Sequence, residues 1–139
     1  MKYEDKLQFL MQAGCGEQDH SGRSLLDHLI GTADKLVEMY PKCPEYLVDA
    51  ALFHSIYGTT YFKPSMVSKD ERDLIKEIIG EEAESLVWFF CNCEHPRQDN
   101  IMKLPVGEFQ SDLLKLNFVN QEDMTSHRFS KNRLEYYNE

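Results

Sequence analysis

The sequence predicts an all-α fold, a compact bundle of five to seven helices. Three observations carry this. Apolar residues recur at helical spacing through most of the chain. No run of four to eight residues alternates as a half-buried strand does. The periodic segments are separated by Gly14, Gly16, Pro41, Pro44, Gly58, Pro64 and Gly80, residues that stop helices. With 139 residues, 42% apolar and 28% charged, the chain has the makings of one domain over 1–139 whose core needs no disulfide. Its motifs fall within about 19–123, and 124–139 reads as a peripheral tail.

The first helix is expected near 3–12, with Leu7, Leu10 and Met11 inward, ended by Gly14-Cys15-Gly16. A polar loop should run to Ser24. Ser24 stands where an N-cap belongs, and Leu25, Leu29, Ala33 and Leu36 then form an apolar stripe down to Tyr40 before Pro41. The third helix, 45–57, is apolar on nearly all sides, the mark of a central buried element ended by Gly58. Ser68 and Glu71 form a capping box ahead of Leu74, Ile75, Ile78 and Ile79; Gly80 breaks that helix. A fifth begins at Glu81, its first turn holding Glu81, Glu82 and Glu84 as the macrodipole favours, its second half the apolar run 86–90. Residues 93–107 read as a long loop, 108–123 as the last clear helix, and 124–139 as a docked surface helix or frayed tail carrying His127, Phe129, Tyr136 and Tyr137.

Charge and composition exclude several classes. Fifteen basic against 24 acidic residues give a net charge of −9, which repels a phosphate backbone, so no nucleic-acid partner is expected. The longest uncharged apolar run, Leu86 to Cys91, is far short of the about 20 residues of a membrane span. The N-terminal Met-Lys-Tyr-Glu-Asp-Lys lacks the apolar stretch of a secretion signal, and a cytoplasmic location is expected. Cys15, Cys43, Cys91 and Cys93 then read as reduced thiols. Cys91-Asn-Cys93-Glu-His95 has soft ligands but no fourth partner, and reads as a helix end entering a loop.

Chemistry is most plausible at three of the five histidines. His28 sits at the edge of its helix's apolar stripe. His54 shares a face with Leu47, Ala50 and Ala51, so it is expected to be buried with a partner for each ring nitrogen. His20 precedes the second helix by about one turn of chain. Neutral imidazoles on adjacent helices serve as ligands for zinc, iron or manganese and as general bases. A buried histidine also serves simply as a hydrogen-bonded core residue.

The segment Ala50-Ala-Leu-Phe-His-Ser-Ile-Tyr-Gly58 resembles the second histidine motif of the HD superfamily of metal-dependent phosphohydrolases, and Leu26-Asp-His28-Leu-Ile-Gly-Thr32 resembles the first. The resemblance is closer to a branch of small proteins of unknown function, carried by His20-Ser-Gly-Arg-Ser-Leu-Leu-Asp-His28, Ala50 to Thr59 and Ile79-Gly-Glu-Glu-Ala-Glu-Ser-Leu86, and it covers about 19–91. It implies an HD-like helical fold with the His28 and His54 helices packed side by side. It also implies a metal site, from which this chain departs: Ser55 holds the place of the doublet's aspartate, and Asn120 is the candidate for the distal one.

Three functional readings follow. The first is a small-molecule-binding protein with a degenerate metal site, holding a small anionic ligand through Arg23, Ser55, Tyr57, Thr59 and Asn120, beside His28 and His54. The second is a metal-dependent hydrolase or oxygenase in which His20, His28 and His54 bind a single zinc, iron or manganese ion and its water is the nucleophile. The third is a structural or interaction protein, a homodimer for example, whose buried histidines satisfy one another.

Overall fold

The computed structural model describes residues 1–138, with side chains through residue 126. Six α-helices dominate: α1 Tyr3–Gln12, α2 Leu25–Met39, α3 Glu45–Phe53, α4 Arg72–Asn92, α5 Arg97–Met102 and α6 Glu108–Asn138. α2 packs between α3 and α6, α3 against α4, and α5 against α6. Leu25, Leu29, Leu36, Leu47, Leu52, Phe53, Ile75, Leu86, Leu113 and Leu116 are all buried in the core they share. The expected all-α bundle is what forms.

Local chemistry sets the boundaries. Ser24 caps α2, its Oγ accepting from the Asp27 amide at 3.0 Å. The Ser68–Glu71 capping box is present and opens a short 3-10 turn, Lys69–Glu71, ahead of α4. Gly80 interrupts α4 with φ 87° and ψ 164°, a conformation that L side chains rarely adopt, so the two expected helices meet there at a kink. α1 buries Leu10, but Met11 is exposed and Lys6 is buried instead. The Lys6 ammonium donates to Asp49 on α3 at 2.8 Å, which ties the first helix to the centre of the bundle.

Four segments depart from expectation. The polar loop before Ser24 contains a hairpin, β1 Asp19–His20 paired antiparallel with β2 Arg23–Ser24. Ser21 (φ 55°) and Gly22 (φ 89°) turn it, both left-handed as a two-residue hairpin turn requires. α3 stops at Phe53, and the chain tightens into turns that place the Ile56 amide on the Phe53 carbonyl and the Gly58 amide on the Ser55 carbonyl. The loop 93–107 contains α5. The last helix does not end near 123 but runs on to Asn138; the side chains of His127, Phe129, Tyr136 and Tyr137 lie outside those described.

Glu84, expected in the first turn of a fifth helix, has a further role in the core. It is fully buried, accepts from the Arg72 guanidinium (Nη2 to Oε1, 2.6 Å) and from the Tyr57 hydroxyl (3.1 Å), while Arg72 lies over the Trp88 ring at 3.9 Å. A carboxylate this deep persists because its acceptor positions are met. Among the described residues no helix is long and apolar enough to cross a membrane.

Candidate functional site: a histidine-floored cavity

A cavity of about 590 Å³ opens where the hairpin, the end of α3, the connection after it, the start of α5 and the middle of α6 meet. His28, His54, Phe90 and Ser55 are its most buried lining residues, and Tyr61, 80% exposed, lies on its exposed side with Ser21 and Gln121. Phe62 and Phe90 supply apolar wall, and Arg97 is the cation. Among the described residues none of the chain's carboxylates lines it, although the sequence has 24. An acidic protein thus encloses a cavity whose one permanent charge is positive.

Each deep histidine is fixed through its outer nitrogen. His54 ends α3, and its Nδ1 donates to the Ala51 carbonyl at 2.7 Å, satisfying an acceptor that the helix terminus leaves open. The His54 carbonyl in turn accepts from the Cys91 thiol at 2.9 Å. His28 Nδ1 donates to Asp123 Oδ2 at 2.7 Å. With both Nδ1 positions protonated, the two Nε2 atoms carry lone pairs, and these meet at 3.2 Å. Asn120 Oδ1 stands 2.8 Å from the first and 3.0 Å from the second.

Three acceptors facing one another repel, and two arrangements relieve this. A cation can sit between them. Alternatively the Asn120 amide turns over, so that its two N–H groups donate to the two nitrogens. Two imidazole nitrogens about 2.1 Å from one metal, at an angle of roughly 100°, stand about 3.2 Å apart, so the observed separation fits a shared metal. The donor set is two imidazoles and an amide oxygen, neutral throughout. Burial, reinforced by the neighbouring rings, lowers the His28 pKa, and burial brings that of His54 down to about 4, so both are neutral bases at pH 7.

His20 is brought to the same place but in another role. Its ring lies face to face with that of His28, centroids 4.2 Å apart and planes 9° from parallel. Lone pairs lie in the ring plane, so those of stacked rings run side by side and do not converge. Among the described residues no group of three or more His, Cys, Asp and Glu side chains is gathered to hold a metal ion. The converging trio is His28, His54 and Asn120.

Asp123 and Gly31 had no part in the expected site. Asp123 stands one turn after Asn120 on α6 and bridges His28 to the Arg23 guanidinium. Gly31 makes room for it: a Cβ there would collide with the Asp123 carboxylate, whose Cγ is 3.0 Å away. Arg23 therefore pairs with Asp123 behind His28 and is not among the cavity's lining residues, contrary to its expected role as the ligand's cation.

Arg97 takes that position. It opens α5, is 7% exposed, and lies over the Phe90 ring at 3.9 Å. Its Nη1 donates to Asn117 at 3.2 Å and its Nη2 approaches His95 Nε2 at 3.4 Å. Its Nε, and the Oγ of Ser55, are buried without a hydrogen-bond partner among the described residues. Each such group costs about 1–3 kcal/mol.

Of the other expected residues, Ser55 and Asn120 line the cavity and Thr59 does too, although the Thr59 Oγ1 already accepts from the Phe62 amide at 3.0 Å. Tyr57 does not: it points to Glu84 and packs on Trp88, held in the α3–α4 interface. The side chains from Cys91 to His95 do not gather into a cluster of three metal-ligand residues among those described. Burial pushes the Cys91 thiol up to about 12, the Cys93 thiol faces backbone carbonyls, and His95 packs on Tyr61 with centroids 3.9 Å apart.

Residues 9–95 match a family described as a domain of unknown function (DUF6817), and the chain belongs to that family. No curated protein and no solved structure matches it. The matched segment contains His20, Arg23, His28, His54 and Ser55, and ends before Arg97, Asn120 and Asp123.

Proposed function

We propose that this chain is a small-molecule-binding domain that takes an anionic ligand into the histidine-floored cavity. One observation carries the reading. Ser55 and Arg97, both more than nine-tenths buried, line one cavity free of carboxylates among the described residues, and each has a buried side-chain polar atom without a hydrogen-bond partner among those residues. A ligand that supplied acceptors to both would remove the penalty of leaving them unmet, and apolar Phe62 and Phe90 would take its carbon frame. The test is a thermal-shift screen of small anions and their neutral amides. Stabilisation by anions that is lost in Arg97→Ala supports the reading; equal response to anions and amides, or none to either, overturns it.

A second reading is favoured by the three converging acceptors. In it His28, His54 and Asn120 hold one divalent zinc, iron or manganese ion, and the chain is a mononuclear descendant of the HD superfamily it resembles. Both outer nitrogens being hydrogen-bonded suits ligating imidazoles. A bound ion would supply a Lewis acid and a water of lowered pKa; Arg97 would then hold the anionic part of a substrate. Elemental analysis of protein purified without a metal-affinity tag decides it. Stoichiometric metal that disappears in His54→Ala supports this reading, and wild-type protein still empty after dialysis against the three ions ends it.

A further inference from the structure

We infer that the cavity selects a monocarboxylate on a flat, apolar frame, such as a fused-ring aromatic acid. The inference rests on the small-anion reading above and goes further in naming the ligand's charge, its anionic group and its shape.

Charge comes first. Among the described residues no carboxylate lines the cavity. Arg97 is the one arginine or lysine, and so the one permanent cation, among the lining residues described. One guanidinium balances one negative charge; a phosphate monoester, near −2 at neutral pH, would bring a second charge into a buried site that holds no second permanent cation among the described residues.

The donors point to the group. Arg97 uses Nη1 on Asn117, while Nε has no partner among the described residues and Nη2 makes one long contact to His95. The Nε and Nη2 hydrogens form the side-on edge of the planar fork, whose spacing matches the two oxygens of a carboxylate. The guanidinium cannot swing freely to another geometry, because Phe90 covers its face at 3.9 Å.

The walls set the shape. His20 and Phe62 pack at 4.5 Å, Tyr61 and His95 at 3.9 Å, so ring faces and edges from the hairpin and both loops border the space beyond Arg97. Planar frames fill such a space with little loss of conformational freedom, whereas a flexible chain must freeze its rotors. About 590 Å³ is ample for two fused rings.

The test is isothermal titration of the full chain, in chelator, with 2-naphthoate, 2-naphthyl phosphate, 2-naphthamide and decanoate. The expected result is binding of 2-naphthoate at least tenfold tighter than each of the other three. Arg97→Lys, which keeps the charge but not the fork, should bring 2-naphthoate to within about threefold of the amide, with an unchanged circular dichroism spectrum confirming its fold. Tighter binding of 2-naphthyl phosphate overturns the carboxylate inference and leaves the small-anion reading standing. Tighter binding of decanoate overturns the flat frame, and no tenfold preference for 2-naphthoate over 2-naphthamide overturns the role of charge. Failure of all four to bind at millimolar concentration overturns the inference and the small-anion reading together.

Discussion

Asp123 accepts from Nδ1 of His28 at 2.7 Å, so a carboxylate on the last helix decides which nitrogen of the motif histidine faces the cavity. The same oxygen pairs with Arg23. Asp123→Ala removes the shared acceptor of His28 and Arg23 from a site that is mostly buried, and is expected to destabilise the domain by about 2–4 kcal/mol; the Arg23 side chain keeps some contact with water, which limits the loss. Asp123→Asn keeps an acceptor for His28 and should lose roughly half as much. Urea denaturation of the two variants checks this, and no change in either would show that the bridge does not hold α2 to α6.

Gly31→Ala should resemble the Asp123 variants although it removes no hydrogen-bonding group. Its Cβ would occupy the carboxylate's place, with Asp123 Cγ only 3.0 Å off. A loss of about 1–3 kcal/mol is expected. In the Asp123→Ala background the same substitution should be nearly neutral, a coupling that a double-mutant cycle reads directly.

Tyr57→Phe separates packing from binding. The hydroxyl donates to buried Glu84, so its loss is expected to lower stability by about 0.5–1.5 kcal/mol. Ligand affinity at the cavity should stay within twofold of wild type, because the ring packs on Trp88 and not on the cavity. A tenfold loss of affinity with unchanged stability would return Tyr57 to the site.

How much of this was legible before the structure depends on which physics each residue obeys. The Ser24 cap, the Ser68–Glu71 box and the stop at Gly80 are local, so spacing alone reveals them. The burial of His54 follows from an apolar helix, and Ser55 and Asn120 were reached from motif resemblance. Arg97 was missed because it sits in a stretch of Pro, polar and charged residues that reads as a loop; its depth comes from stacking on Phe90, a contact between segments that no local pattern encodes. Asp123 and Arg23 are 100 residues apart, and their pairing exists only once α6 crosses α2. The Ser21-Gly22 pair was a readable turn signal, and it marks the hairpin that carries His20 inward.

Acid should weaken the fold through His54. Burial holds its folded-state pKa near 4, below the about 6.5 of an unfolded histidine. The unfolded chain therefore takes up the proton first as pH falls. This stability contribution is complete above about pH 6.5 and is lost progressively toward pH 4. In chelator-treated protein the melting temperature should drop several degrees over that window, and His54→Gln should lessen the drop, leaving the part that comes from His28, whose pKa burial also lowers. A wild-type melting temperature unchanged from pH 7 to pH 4.5 would contradict the burial argument.

The central claim is that the buried Arg97 Nε, which has no partner among the described residues, donates to an anion, and the Nε–H resonance of Arg97 reads that donor itself. In proton–nitrogen correlation spectra the peak is assigned by its absence in Arg97→Lys, then followed as 2-naphthoate is added. The account predicts a saturable downfield shift of this peak, together with shifts at the Ser55 and Phe90 amides. A peak that stays in place through millimolar ligand, while amides elsewhere move or none do, would contradict it.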